Sequence, residues 1–288
     1  MKVARQVREL ELRPRAVALG TFDGVHRGHR RVLEAALAAG PTPTVVTFDP
    51  HPRLALGYGV ELLVPLERRL ELLGEAGIQE TLVVDFDLEL AQLEPGAFAE
   101  RVLRPIGAEV VVAGANFRFG RGRAGDLELL GRLGFDARPV PLADGVSSTR
   151  IRDVVRAGEV DRAAKLLGRP AEVSGTVVAG DARGGTLGFP TANLRPEPGV
   201  LVPGHGIYAG AADGHRAAIS IGLNPHYGGD ERRIEAFLLD FDGDLYGRRL
   251  VLELWQRLRD ERAFASEVEL IAQIGRDVAD TRAAARPG

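Results

Sequence analysis

His26 and His29 stand on either side of Gly28 in the string Gly20-Thr21-Phe22-Asp23-Gly24-Val25-His26-Arg27-Gly28-His29. The string joins a short apolar run, residues 16–19, to an Ala/Leu-rich segment, residues 32–39. That order reads as strand, glycine turn, helix. Histidines three apart share one helix face. In a first turn they meet unpaired backbone N–H groups and the positive end of the helix dipole, which together favour an anion. Gly28 costs about 1 kcal/mol there against alanine, which implies that another group approaches the backbone closely. Two imidazoles, a positive helix end and bare backbone describe a phosphate site. A lone histidine is more often a surface or packed residue, so the weight lies on the whole string.

Further strings carry chemistry. Val146-Ser147-Ser148-Thr149-Arg150-Ile151-Arg152 opens a second helix, where Ser or Thr also suits a plain N-cap. Thr47-Phe48-Asp49-Pro50-His51-Pro52 reads as a strand end and a stiff proline turn. In residues 114–126, Phe117 and Phe119 can stack on a flat ring. Asn116 can pair with that ring's polar edge, and Arg118 and Arg123 can meet a phosphate. A basic loop facing solvent is an equally good reading of that segment. Residues 180–188 hold Gly180, Gly184, Gly185 and Gly188 with Thr186 among them. This is either an ordinary mobile loop or a cradle of amides for phosphate. Thr191 and Asn193 offer hard oxygen ligands to Mg²⁺. Glu235 lies between Ile234 and Ala236. A carboxylate among apolar neighbours is expected to have a raised pKa, which suits a general base; the alternative is an outward-facing strand glutamate.

These strings resemble known families. The His26/His29 string resembles the HxGH signature of the nucleotidylyltransferase superfamily, in the longer form found in FMN adenylyltransferases. Gly20, Phe22, Asp23 and Gly24 then belong to its nucleotide-binding turn. Residues 146–152 resemble the ISSTxxR motif that partners HxGH. The resemblance implies that Ser148 and Thr149 bind nucleotide phosphates and that Arg152 neutralises the leaving pyrophosphate. Residues 47–52 resemble the TFxPHP segment, and residues 114–126 the GxxFxFGxxRxGD flavin loop, of the same enzymes. This implies flavin contacts for His51, Asn116, Phe117, Arg118, Phe119 and Arg123. Pro190-Thr191-Ala192-Asn193 resembles the PTAN signature of riboflavin kinases, with Gly180, Gly184, Thr186 and Gly188 as its phosphate loop and Thr191 and Asn193 at Mg²⁺. That family usually has arginine where this chain has Gly185, so that side chain's contribution is missing or supplied elsewhere. Ser220-Ile221-Gly222-Leu223-Asn224-Pro225, the segment around Glu235, and Asp240-Phe241-Asp242-Gly243-Asp244-Leu245-Tyr246-Gly247 also resemble riboflavin kinases. So does Leu258-Arg259-Asp260-Glu261 with Phe264. There the glutamate matching Glu235 deprotonates the ribityl hydroxyl. The resemblance covers about residues 14–282 and identifies the chain as similar to bifunctional prokaryotic FAD synthetases. It implies ATP, riboflavin, FMN and FAD as substrates or products, with Mg²⁺ at both sites.

Composition sets the frame. At 288 residues the chain has room for about two domains. Hydrophobic residues at 45 % and charged residues at 27 % are ordinary for a globular protein. A net charge of −3 argues against broad nucleic-acid or membrane-surface binding; the partners that the resemblance implies are small molecules, and the expected state is a monomer or weak homo-oligomer. With no cysteine, disulfides, thiolate catalysis and Cys-ligated zinc are excluded. No P-loop string is present, and the only lysines are Lys2 and Lys165. Phosphate chemistry must therefore use histidine, arginine, backbone amides or metal. No run of about 18 apolar residues reads as a membrane span, residues 1–15 lack an apolar signal-peptide core, and the expected location is cytoplasmic.

The elements that must position these residues change character along the chain. Residues 16–19, 44–48, 81–86 and 109–113 read as short buried strands. Residues 30–39, 66–76 and 96–103 have helical spacing. This alternation implies an α/β N-terminal domain, a Rossmann-like nucleotidylyltransferase with a parallel sheet. Its ligands are expected beyond the carboxyl ends of the strands. Residues 161–167 read as one more helix. Beyond it, residues 173–179, 216–221, 234–241 and 250–258 read as strands, with Asp242-Gly243-Asp244 as a hairpin turn. Residues 266–279 read as an amphipathic helix with Ser266 at its cap and Leu270, Ile271, Ile274 and Val278 on one face. A C-terminal antiparallel β-barrel with a terminal helix fits that order. The expected domains are 1–169, an FMN adenylyltransferase, and 170–288, a riboflavin kinase. Two rival readings are a chain that keeps one activity only and a flavin-binding protein without catalysis. His26, His29 and Glu235 speak against the second rival, because a binder has no use for them.

Overall fold

The structure is a computed structural model and describes residues 1–141, 143, 145–180, 188–223 and 232–288. Gly184, Gly185 and Thr186, and Asn224 with Pro225, lie outside the described residues. The chain forms two compact units. One comprises residues Met1–Val60 and Leu66–Ser147; the other comprises Glu61–Pro65 and Ser148–Gly288.

The first unit is built on a six-stranded sheet of β1 (Lys2–Ala4), β2 (Arg15–Leu19), β3 (Thr42–Asp49), β4 (Glu80–Asp85), β5 (Ala108–Gly114) and β6 (Asp136–Val140). Its order is β1-β4-β3-β2-β5-β6 and every pairing is parallel. The four expected strands are present. β1 and β6 are additional, and both lie at sheet edges. β6 reads Asp-Ala-Arg-Pro-Val. It has no apolar run, and Pro139 cannot donate to a ladder, which suits an edge. β2 is fully buried, Arg15 included. The Arg15 guanidinium donates through Nε to Glu80 at 2.8 Å and through Nη1 to the carbonyl of Glu11 at 2.7 Å and to that of Ile106, while its Nη2 is buried without a partner. The chain moves one way across the sheet from β2 through β3 to β4, then returns to the other side of β2 for β5. The switch between β2 and β5 opens the crevice in which such sheets bind ligands.

The helix Arg27–Leu37 begins three residues earlier than its apolar spacing predicts, because His26 caps it. Its Val32, Leu33 and Ala36 are buried. The helix Leu66–Glu75 buries Arg69, Leu72 and Leu73, the i, i+3, i+4 stripe of a helix lying on a sheet. The expected helix at 96–103 is found as Pro95–Phe98 running on into Ala99–Leu103.

The second unit holds a closed antiparallel barrel of β7 (Ala171–Val178), β8 (Ala192–Pro196), β9 (Gly206–Ala212), β10 (His215–Leu223), β11 (Arg232–Leu238) and β12 (Arg249–Arg259). Strand order is β10-β11-β8-β7-β12-β9. Alternate residues fill its interior: Ala217, Ile219 and Ile221 on β10, Ile234, Ala236 and Leu238 on β11, Leu250, Leu252 and Leu254 on β12. β8 and β9 were not among the expected strands. The Asp242-Gly243-Asp244 segment is not a hairpin turn, because the strands it joins, β11 and β12, are not neighbours in the barrel. The tight hairpin joins β9 to β10 through Asp213 and Gly214, with φ of 50° and 82°. Asp-Gly with two left-handed residues matches the natural twist of paired strands. The helices Ser148–Arg156 and Val160–Leu167 belong to this unit, the second burying Val160, Ala163, Ala164 and Leu167.

The terminal helix, Glu267–Ala283, has Ser266 at its cap as expected, the hydroxyl accepting from the Glu269 N–H at 3.2 Å. Its buried residues are polar, however: Gln273, Asp277 and Thr281. Leu270, Ile274 and Val278 are only half-buried, and Ile271 is exposed. Arg259 at the end of β12 makes a two-pronged pair with Asp277 at 2.9 and 2.7 Å. Arg262 donates to Gln273 at 2.6 Å. The apolar stripe is therefore displaced by a paired, charge-assisted network.

Candidate functional site

In the first unit, three loops leave the carboxyl ends of the neighbouring strands β2, β3 and β5. The turn after β2 holds three left-handed residues, Phe22 (φ 51°), Gly24 (79°) and Val25 (39°). Two of these are not glycine, so the turn stores backbone strain of the kind that gathers at ligand sites. It buries Phe22 and Asp23 and delivers His26 to the helix start. The His26 Nδ1 accepts from the His29 N–H at 3.2 Å, satisfying one of the orphan donors of the first turn. The two rings stack, with centroids 3.5 Å apart and planes 13° apart, and Phe22 meets the His29 ring edge-on at 5.3 Å. A Cβ on Gly28 would lie 3.2 Å from the His26 ring. The capping imidazole is thus the group that approaches this backbone. Burial, then the neighbouring His26 and Arg69, hold the His29 pKa well below its ordinary 6.5. At neutral pH His29 is an uncharged hydrogen-bonding group, and its Nδ1 is buried without a partner.

β3 ends in Asp49, and the following peptide, Asp49–Pro50, is cis. His51 is buried, and its Nδ1 accepts from the Arg53 N–H at 3.2 Å. The loop after β5 folds back on itself, Phe119 and Gly125 exchanging backbone hydrogen bonds of 3.0 and 2.9 Å. Phe119 is part of the hydrophobic core, in contact with Phe98, and Phe117 stacks on it with centroids 5.9 Å apart. Asn116, Arg118 and Arg123 are exposed and Phe117 half-buried. Arg118 donates to its neighbour's carbonyl, Phe117 O, at 2.9 Å. Ser148, Thr149 and Arg152 lie in the second unit, on the helix Ser148–Arg156. Arg152 is buried and donates through Nε to Glu61 O at 2.6 Å.

The barrel carries a second cluster on its outer side. Leu194 and Ile234 are buried, so Asn193 and Glu235, next to them in their strands, point away from the interior. The β8–β11 register sets Asn193 directly opposite Glu235, and the β10–β11 register sets Ser220 opposite Glu235. Facing residues in such ladders have Cβ atoms about 4.5–5.5 Å apart. Gly180 lies against the Asn193 amide, leaving no room for a Cβ. Phe189, just before Pro190 and Thr191, packs edge-on against Phe237 at 5.4 Å. Arg233 pairs with Glu235 at 2.5 Å, a partner that the apolar sequence neighbours do not reveal. The Glu261 carboxylate fills the space beside Gly222, which faces Arg233 across the ladder. Among the described residues no three His, Asp or Glu gather as a metal-binding group. Thr191 and Asn193 supply two neutral oxygens, the sparse donor set that suits Mg²⁺ held mainly by water and substrate phosphates.

Two family matches divide the chain along the same line as these clusters. The family described as FAD synthetase matches residues 9–146, and the one described as riboflavin kinase matches residues 167–285. A bifunctional riboflavin kinase/FMN adenylyltransferase of Listeria monocytogenes is 36 % identical over 93 % of this chain and 92 % of its own length. The Escherichia coli K12 protein of the same name is 35 % identical over 96 % of each. The chain belongs to the bifunctional riboflavin kinase/FMN adenylyltransferase family. A crystal structure from Streptococcus pneumoniae, titled a macrolide-efflux protein, is 31 % identical, with a TM-score of 0.87 over 97 % of this chain and 98 % of that one. Among the described residues of this chain, no helix is long and apolar enough to cross a membrane.

Two residues of this family member escaped the sequence reading. Arg69 is buried beside the histidine turn, and its only signal is a place in the Arg69/Leu72/Leu73 stripe. Arg233 sits two residues before Glu235, the period that puts both on one strand face, but charge at that spacing is also common on solvated strands.

Proposed function

We propose that the two activities of this bifunctional enzyme are divided between the two clusters. The chain phosphorylates riboflavin to FMN with ATP and adenylylates FMN to FAD with release of pyrophosphate. In the first unit, the turn Gly20, Phe22, Asp23, Gly24 and the His26/His29 pair receive the ATP phosphates. The observation that carries this is the stacked imidazole pair at a helix start, beyond the β2 carboxyl end and at the sheet's switch point. His29, neutral at pH 7, donates a ring N–H to a phosphate oxygen as charge builds on the α-phosphoryl group. His26 holds the helix start and the partner ring in place. Asn116, Phe117, Arg118 and Arg123 meet the flavin, Phe119 backs the Phe117 ring from the core, and His51 caps the neighbouring loop. The resemblance of residues 146–152 supports a phosphate-binding role for Ser148, Thr149 and Arg152.

On the barrel, Glu235 takes the proton from the ribityl hydroxyl as its oxygen attacks the γ-phosphorus of ATP. The ladder that sets Glu235 opposite Asn193 supports this, since base and metal ligand must meet the same phosphoryl group. Thr191 and Asn193 would hold Mg²⁺, with Gly180 and Gly188 beside the phosphates; the phosphate roles that the resemblance implies for Gly184 and Thr186 fall outside the described residues. Mg²⁺ would neutralise phosphate charge during transfer. Its partners are small molecules rather than nucleic acid, and its use of ATP is in keeping with a cytoplasmic enzyme.

Incubation with riboflavin, ATP and Mg²⁺, followed by separation of riboflavin, FMN and FAD, tests the division. His29→Ala should lower FAD formation by about 10²-fold or more and leave FMN formation intact. Glu235→Gln should lower FMN formation by about 10²–10⁴-fold while added FMN is still converted to FAD. A folded His29→Ala variant that makes FAD at the parental rate removes the adenylyl-transfer assignment. Parental FMN formation by Glu235→Gln removes the base.

A further inference from the structure

Arg69 lies in the helix Leu66–Glu75, outside every motif, and is 3 % exposed. A buried guanidinium is costly unless it is paired and hydrogen-bonded. Its partners are specific. Nη1 donates to the carbonyl of Thr21 at 2.8 Å and Nη2 to the carbonyl of Phe48 at 3.0 Å. Thr21 opens the turn that carries His26 and His29, and Phe48 lies at the end of β3, three residues before His51. The Thr47 hydroxyl donates to the same Thr21 carbonyl at 3.1 Å, and the Gly20 N–H donates to Val46 O at 3.2 Å. The strained turn is therefore tied to the end of β3 at several points, and Arg69 alone among them reaches both segments from a third element.

We propose that Arg69 is a positioning residue for adenylyl transfer: its planar fork fixes the histidine turn against the His51 loop. Its charge acts on the same ring. The charged or titratable groups around this cluster are Asp23 and His26 from the turn, Asp49 from β3, Arg5 from the segment after β1, and Arg69 itself. Burial pulls the Arg69 pKa down, Asp23 and Asp49 oppose that, and Arg5 adds to it. The Arg69 guanidinium, a cation beside the His29 ring, helps to lower the His29 pKa. Lysine would keep the charge but cannot span two carbonyls in one plane.

The inference rests on placing adenylyl transfer in the first unit, so His29→Ala is run beside it in the full-length protein. In Arg69→Gln, kcat for FMN to FAD should fall by about 10²-fold, as expected when reacting groups are misplaced by about an ångström. KM should change less, and riboflavin phosphorylation should be unchanged. The His29 ring, followed by NMR titration, should protonate at higher pH in Arg69→Gln. In Arg69→Lys it should titrate as in the parent while kcat recovers only in part. Loss of kcat together with the displaced titration supports the proposal, and the absence of either overturns it. Should Arg69→Gln fail to fold, Arg69→Lys decides: reduced kcat with intact phosphorylation supports it and parental kcat overturns it. If His29→Ala makes FAD at the parental rate, the site assignment and this proposal fall together. If His29→Ala is inactive and Arg69→Gln is parental, this proposal alone falls.

Discussion

Gly180→Ala is a one-methyl test of the kinase cluster. A Cβ at Gly180 would lie 2.6 Å from the Asn193 Oδ1 and closer still to the rest of the amide, whereas ordinary contact begins at 3.4 Å. The amide oxygen must therefore retreat by on the order of 1 Å. It can do so, because the side chain rotates while the ladder holds the Asn193 backbone between Val178 and Glu235. An off-rotamer side chain costs about 0.5–1.5 kcal/mol, so the variant should fold. Its function should suffer more, since a shift of that size at a phosphoryl-transfer site costs up to about 10²-fold in rate. We expect kcat for riboflavin to FMN to fall by about 10–10²-fold and the Mg²⁺ concentration giving half-maximal rate to rise. FMN to FAD, measured on the same preparation, should be unchanged. Asn193→Ala should lose at least as much, and the double variant should lose little more than Asn193→Ala alone, because both changes act through one side chain. A folded Gly180→Ala enzyme with the parental kinase rate and Mg²⁺ dependence would refute the reasoning.

Glu80 lies between Arg15 at 2.8 Å and Arg13 at 2.6 Å. Glu80→Gln leaves the buried Arg15 charge without a counter-ion and should cost about 3–5 kcal/mol in urea unfolding. Burial pushes the Glu80 pKa up, but the Arg15 hydrogen bond and the charges of Arg15 and Arg13 outweigh it and hold it below 4.5. A lowered folded-state pKa stabilises above the unfolded value of about 4.3 and ceases to do so as pH falls through the folded value. The parent should thus lose stability on acidification below about pH 4.5, and Glu80→Gln should show a flatter acid limb; equal limbs would remove Glu80 as the cause. Cutting the chain should also be informative. Residues 148–288 should melt at higher temperature than residues 170–288, because the latter lack the helix Val160–Leu167 with its buried Val160, Ala163, Ala164 and Leu167. We expect residues 1–169 to convert FMN to FAD and residues 1–147, which lack Ser148, Thr149 and Arg152, to fail; activity in both would free that motif from the reaction.

The features legible in the chain are those that local covalent neighbours decide. β2, its glycine turn and the helix that follows lie in one continuous stretch, so apolar runs, the turn and the paired histidines could be read together. The same holds for the four central strands of the first unit, whose burial on both faces leaves continuous apolar runs, and for the Ser266 cap. Edge strands gave little signal, since β6 is polar and β1 is three residues long. Asp242-Gly243-Asp244 has the composition of a hairpin, but pairing is settled by where the barrel closes, and a two-residue hairpin turn is found instead at Asp213-Gly214. The terminal helix shows an apolar stripe in its sequence, yet buries Gln273, Asp277 and Thr281, because Arg259 and Arg262 arrive from another element. The sites divide in the same way. The sequence by itself determined which residue types are present for phosphate, flavin and proton transfer, and, through their motifs, the pair of reactions. Only the tertiary structure decided that His26 caps the helix and stacks on His29, that Asn193 faces Glu235, that Arg233 pairs with that glutamate, and that Arg69 is buried against the carbonyls of Thr21 and Phe48. The Asn193 and Arg69 contacts depend on strand register or helix docking between segments far apart in the chain, which are set by how the core packs; the His26–His29 and Arg233–Glu235 contacts join near neighbours, but their geometry depends on side-chain rotamers that spacing alone does not fix.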